Sequence, residues 1–140
     1  MATLAANVKR KFEFNQDPML NDYPMKAAEI VFEGAAVGLT SGIAEPLADA
    51  TVFAGFATAK ADNSAGAASA ITVRVIQRGT VKLTLGGTVT AAKVDDVVYA
   101  SDDATFSLTD TGTDVAIGRL SRFIDSTTGM VSFTAVPIRP

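Results

Sequence analysis

From Val8 to Phe14 the chain alternates, with Val8, Arg10, Phe12 and Phe14 on one side and Lys9, Lys11 and Glu13 on the other. A period of two over a phenylalanine-rich segment predicts a strand with one apolar face. Asn15-Gln16-Asp17-Pro18 and Asn21-Asp22-Tyr23-Pro24 are expected to be turns, because Asx residues and proline fix bends locally. Met19 and Leu20 lie between them without a periodic partner. Such a segment has little means of building its own core, so it either folds back on the rest or lies along a partner.

After residue 26 the pattern becomes a succession of short strands. They are expected at 29–33, 36–39 and 52–59, the last an apolar run suited to burial on both faces. Residues 60–70, small and polar, read as a loop with an alanine-rich helical turn. Ile71, Val73 and Val75 alternate with Thr72 and Arg74; Gly79 is expected to break the run before Val81, Leu83 and Leu85 alternate with Thr80, Lys82 and Thr84. Gly86-Gly87 suits a tight turn, and Ala91 to Asp95 one turn of helix. Further strands are expected at 97–99, 105–109, 115–124 and 130–138, with a hairpin at Asp125–Gly129. Short strands separated by frequent turn signals predict an all-β sandwich or barrel.

Composition divides this pattern in two. All 11 glycines lie at or beyond Gly34. Residues 1–26 carry a formal charge of +1 and the remainder −4. The expected organisation is an N-terminal arm, 1–26, and a β-rich domain, 27–140. At 140 residues the chain can bury a core without a covalent staple. Ala, Val, Leu and Ile dominate and aromatics are 7%, which suits a core of small and β-branched side chains.

A pI near 4.8 argues against a nucleic-acid partner. The longest uncharged stretch, 126–138, has 13 residues and two interruptions, Gly129 and Pro137, too few and too broken to span a bilayer. The first residues lack the basic-then-apolar order of a secretion signal, so synthesis in a cytoplasm is expected.

Chemistry has little to work with. The chain has no His and no Cys, which removes the commonest general base, Ser-His or Cys-His nucleophiles and thiolate metal sites. No phosphate-binding glycine motif occurs, and no cofactor or small-molecule substrate is implied. Asp95-Asp96 and Asp102-Asp103 flank one strand and would hold Ca²⁺ if they converged, but Asp pairs at strand ends more commonly serve turns. An enzyme is therefore not expected. Arg74, Arg78 and Lys82 mark either a solvated sheet face or a subunit interface.

Three segments carry a resemblance: Gly79-Thr-Val-Lys-Leu, then Val94-Asp-Asp-Val-Val-Tyr-Ala-Ser-Asp-Asp-Ala-Thr-Phe-Ser-Leu-Thr, then Val115-Ala-Ile-Gly-Arg-Leu. Their order resembles bacteriophage capsid decoration (cement) proteins, in which a glycine-led strand, a Gly-Asp-x-Val-Tyr turn and strand, a small hairpin and an Ile/Val-Gly-x strand follow one another. Here Asp95 stands where that turn usually has glycine. The resemblance covers about Ile30 to Ile138. It implies a compact β-sandwich or barrel-like domain of the β-tulip type with an extended N-terminal arm. It also implies a homotrimer on the capsid exterior that clamps neighbouring major capsid subunits. On that reading Val8, Lys9, Arg10, Lys11, Phe12, Phe14, Met19, Leu20 and Tyr23 form the capsid-binding arm. Deleting 1–26 would then leave a folded body unable to bind capsids. The alternative is a virion tail or fibre module binding a host glycan; with only two Tyr and no Trp it has few stacking platforms.

Overall fold

A computed structural model describes residues 4–14 and 17–135. Its strands are β1 (Phe12–Glu13), β2 (Leu20–Pro24), β3 (Ile30–Val31), β4 (Ala36–Thr40), β5 (Ile43–Pro46), β6 (Val52–Ala57), β7 (Ala61–Asp62), β8 (Thr72–Ile76), β9 (Arg78–Gly86), β10 (Val97–Ala100), β11 (Phe106–Ser107), β12 (Val115–Asp125) and β13 (Thr128–Thr134). The regular helical structure described is one 3₁₀ turn, Ala91–Lys93. The all-β expectation holds.

Strands β9, β11, β10, β12 and β13 close on themselves, since β13 pairs back to β9 over Arg78 to Thr84. Closure removes the free edges of this five-stranded barrel. Most neighbours are antiparallel, but β11 runs parallel to β9 at Leu85 and Gly86, and β1 pairs β9 at Thr80 and Val81. A second sheet has the order β2-β8-β6-β4-β5. Its ends approach each other where Met25 bridges Ala44, just beyond β2. Strands β3 and β7 form a small third sheet.

Two cores follow from the two faces of the second sheet. Strand β6 sends Phe53 and Phe56 towards the barrel and Ala54 and Ala57 to the opposite side. A strict two-residue alternation would put Phe53 and Phe56 on opposite faces. A register shift against β4 between Val37 and Gly38 leaves Ala54 unpaired and re-phases the strand, and Gly55, at φ +123°, flanks it. A Cβ at Gly55 would run into the Ile76 carbonyl, so glycine is required there both for conformation and for space.

The core between sheet and barrel is aromatic: Phe12, Phe53, Phe56, Phe106 and Phe133 lie within 6.3 Å centroid to centroid along a chain of contacts. The other core fits the composition better, with Ala35, Ala44, Ala54, Ala57 and Ala61 beside Val31, Val37, Val73 and Val75. Low overall aromatic content thus conceals a concentrated phenylalanine centre.

Three local expectations are corrected. Residues 21–24 lie in β2, paired to β8 from Leu20↔Ile76 to Pro24↔Thr72, rather than in a turn. Pro24 is tolerated because it ends an outer strand of its sheet. Gly79 lies inside β9, and the break falls at Gln77. Glycine serves there to admit the Phe14 ring, whose Cε1 would be 2.5 Å from an added Cβ. Residues 60–70 contain β7 and turns instead of a helical turn; the buried Asn63 amide donates to the carbonyls of Lys26 (2.9 Å) and Ala67 (3.0 Å) and holds the loop.

Candidate functional site

Residues 4–14 and 17–26 fold back along the rest of the chain. Arg10 and Phe12 point inward, as their alternation predicts. The Arg10 guanidinium lies 5.5 Å from the Phe106 centroid, and its Nε donates to the Gly34 carbonyl at 2.9 Å. Burial pulls its pKa below the ordinary arginine value, while the charge of buried Asp103 acts in the opposite direction. Phe12 stacks on Phe14 at 5.7 Å and meets Phe56 and Phe133 edge-on. Val8 N–H donates to the Glu33 carbonyl at 2.8 Å. The Tyr23 hydroxyl accepts from the amides of Gln77 (2.9 Å) and Asn21 (3.2 Å).

What the arm leaves outside is a strip of mixed character. Lys9 is 89% exposed and 3.7 Å from Glu33. Phe14, Met19 and Leu20 are exposed, Leu20 by 55%. Lys11 is exposed on the side opposite Arg10 and Phe12.

Two exposed carboxylates tie this segment down. Glu13 accepts two hydrogen bonds from Arg122, and Asp22 two from Arg74. These bonds hold both carboxyls below their ordinary pKa values. A lowered folded-state pKa gives stabilisation that is present above the unfolded value and lost as pH falls through the folded one. Amide exchange in β1 and β2 should therefore accelerate relative to the barrel strands on acidification below the usual carboxylate range. Because both pairs are exposed, high salt at neutral pH should produce part of the same loss.

The trio Arg74, Arg78 and Lys82 is divided between two sheets. Arg74 lies in β8, paired with Asp22 at 2.9 Å. Arg78 and Lys82 lie on the outer face of the barrel, where the registers of β9, β13 and β12 set out rows: Arg78–Thr134, Thr80–Ser132–Arg119, and Lys82–Met130–Arg122. Buried Met130 lies in register between Lys82 and Arg122. Lys11 and Glu13 border these rows, because β1 pairs β9 and the Lys11 carbonyl accepts from Lys82 N–H. Arg119 donates to the Asp95 carbonyl at 2.8 Å and Arg78 to the Asp17 carbonyl at 3.0 Å. A shallow open trough over β12 and β13 is bordered by Asp95, Arg119, Ser121, Ser132 and Thr134. Sequence alternation reveals the β9 half of this face. Two register shifts, between Leu120 and Arg122 and between Phe123 and Asp125, obscure the β12 half.

The paired aspartates serve different purposes. Asp102 Oδ1 accepts the N–H groups of Ala104 and Thr105, both at 2.9 Å, as a turn cap. Asp103 is fully buried beside the Arg10 charge, and Asp95 has φ +83°, the conformation that favours glycine. Among the described residues no group of three or more Asp or Glu is placed to hold a metal ion.

These features define an all-β module, a closed barrel joined to a curled sheet. No family model matches the chain and no curated protein matches it. A solved structure does: the N base of head fibre gp8.5 of bacteriophage phi29, at TM-score 0.51 and 16% identity, covering 87% of this chain and 100% of that one. At this identity the likeness is one of fold.

Proposed function

We propose that this protein is a non-enzymatic bacteriophage head decoration protein that binds the exterior of the assembled shell and clamps neighbouring major capsid subunits. The observation that carries the reading is the fold likeness to the base of a phage head fibre across 87% of the chain. The sequence resemblance to cement proteins from about Ile30 to Ile138 supports it independently. A closed barrel with an aromatic joint suits the role, because a clamp must keep its shape while bearing load between subunits. The exposed arm strip, Lys9, Lys11, Phe14, Met19 and Leu20, supplies apolar and cationic contacts of the kind a shell-facing segment needs. Inward-facing Val8, Arg10, Phe12 and Tyr23 set its position.

The mechanism is linkage: a protein that binds the mature shell and not its precursor stabilises the mature state by mass action. Assembly as a homotrimer multiplies weak contacts into avidity. The glycan-binding reading lacks comparable support, since Tyr23 spends its hydroxyl within the chain.

Purified mature shells of the encoding phage should co-sediment the protein to a saturable stoichiometry, precursor shells should not, and size-exclusion mass should give a trimer. A monomer with glycan affinity and no shell binding would replace this reading with the fibre one.

A further inference from the structure

We propose that the outer barrel face formed by β9, β13 and β12 is the docking surface for a carboxylate-rich patch on the shell protein. This deepens the head-decoration reading and rests on it. The face carries Lys11, Arg78, Lys82, Arg119 and Arg122; its carboxylates are Glu13 and, at the margins, Asp95 and Asp125. Asp17, whose carbonyl meets Arg78, borders it as well; counting all four carboxylates, the face is +1 in a chain of −3, so everything else sums to −4. The contrast gives this acidic protein a cationic side.

The cations are also organised. Glu13 orients Arg122 through two hydrogen bonds, at 3.3 and 3.1 Å, and main-chain carbonyls orient Arg119 and Arg78. A guanidinium has five N–H donors, so each retains donors for a partner carboxylate while its rotamer is already restricted. That lowers the ordering cost of docking. Among the described residues Lys11, Arg78, Lys82 and Arg119 make no ion pair within 4.0 Å. Ser132, Thr80 and Thr134 lie between the cations, small hydroxyl side chains that keep the face flat enough for another protein surface.

The same features disfavour nucleic acid. A polyanion would meet the net −4 of the rest of the chain at its margins. No aromatic ring stands in the three cross-strand rows to stack a base.

The test compares wild type with Lys82→Glu/Arg119→Glu in the full chain, with Lys60→Glu, in the connection between β6 and β7, as the charge control. Mature shells are titrated with each protein at low and moderate salt, and circular dichroism confirms that all three fold. The expected result is at least a tenfold loss of shell affinity for the double variant, an unchanged Lys60→Glu, and wild-type affinity that falls as salt rises. Equal, salt-insensitive binding by wild type and the double variant would overturn this inference while leaving the head-decoration reading intact. Failure of wild type to bind shells at any salt would overturn both. Two further results would reassign the face and overturn the proposal: a duplex DNA fragment retarded by wild type and not by the double variant, or salt-sensitive self-association lost in that variant.

Discussion

Replacing Phe56 by alanine should destabilise the protein by about 3–5 kcal/mol, the usual cost of deleting a buried aromatic ring and leaving an incompletely collapsed cavity. Phe56 has no solvent exposure and faces Phe133 at 4.9 Å, Phe53 at 5.8 Å, Phe106 at 6.0 Å and Phe12 at 6.2 Å. These rings come from the barrel, the second sheet and the arm, so one side chain joins three parts of the chain. A loss of this size corresponds to a fall in melting temperature of roughly 10–15 °C for a domain this large. Phe123→Ala is the comparison: its ring is 39% exposed, and the loss should be about 1 kcal/mol or less. Urea unfolding followed by circular dichroism measures both. Near-equal midpoints for the two variants would show that the aromatic joint does not dominate the core. Because the joint spans both sheets, the Phe56→Ala transition should also remain single; separate barrel and sheet transitions would show weaker coupling than the packing implies.

The fold class was legible because strand alternation is local. Val81, Leu83 and Leu85 against Thr80, Lys82 and Thr84 specify an inside and an outside before any partner is known, and they are buried and outward as read. Barrel closure was not legible. It depends on β13 returning to β9 and on β11 pairing in parallel, long-range choices that leave no mark on either segment. Glycine and proline misled where packing overrides punctuation: Gly79 makes room for a ring from another segment, and Pro24 ends an outer strand. Asp95 was visible as a departure from a glycine position, and its φ of +83° shows that the turn keeps the glycine conformation with aspartate in place. Of the candidate surfaces, the inward and outward sides of residues 8–12 could be read directly, whereas Phe14, inward by alternation, is 43% exposed. The cationic face could not be completed, because the bulges at Ser121 and Ile124 disrupt the alternation that would have placed Arg119 and Arg122 beside Lys82.

Removing residues 1–26 should unfold the remainder or destabilise it by on the order of 5 kcal/mol or more, a large share of the stability of an ordinary domain. The composition boundary at residue 26 is not a packing boundary. Met25 is fully buried in the alanine–valine core, and burying a side chain of this kind is worth about 1.5–3 kcal/mol. Its N–H donates to the Ile71 carbonyl at 3.0 Å, and its bridge to Ala44 draws the ends of the second sheet together. Strand β2 supplies a five-residue register to β8, whose other neighbour is β6. Phe12 adds a ring to the aromatic joint, and Arg10 lies beside buried Asp103, whose charge would lose that neighbour. Truncation would thus uncover one core, strip a ring from the other and expose β8 as a template for aggregation. Size-exclusion chromatography and thermal unfolding of the 27–140 fragment measure this directly. A monodisperse fragment melting cooperatively within a few degrees of the full chain would show that the arm contributes little to the fold. The expected collapse also dictates how shell binding by this segment must be tested. Lost binding by the fragment would report unfolding, so Met19→Ser and Leu20→Ser, exposed side chains on the intact arm, separate docking from folding.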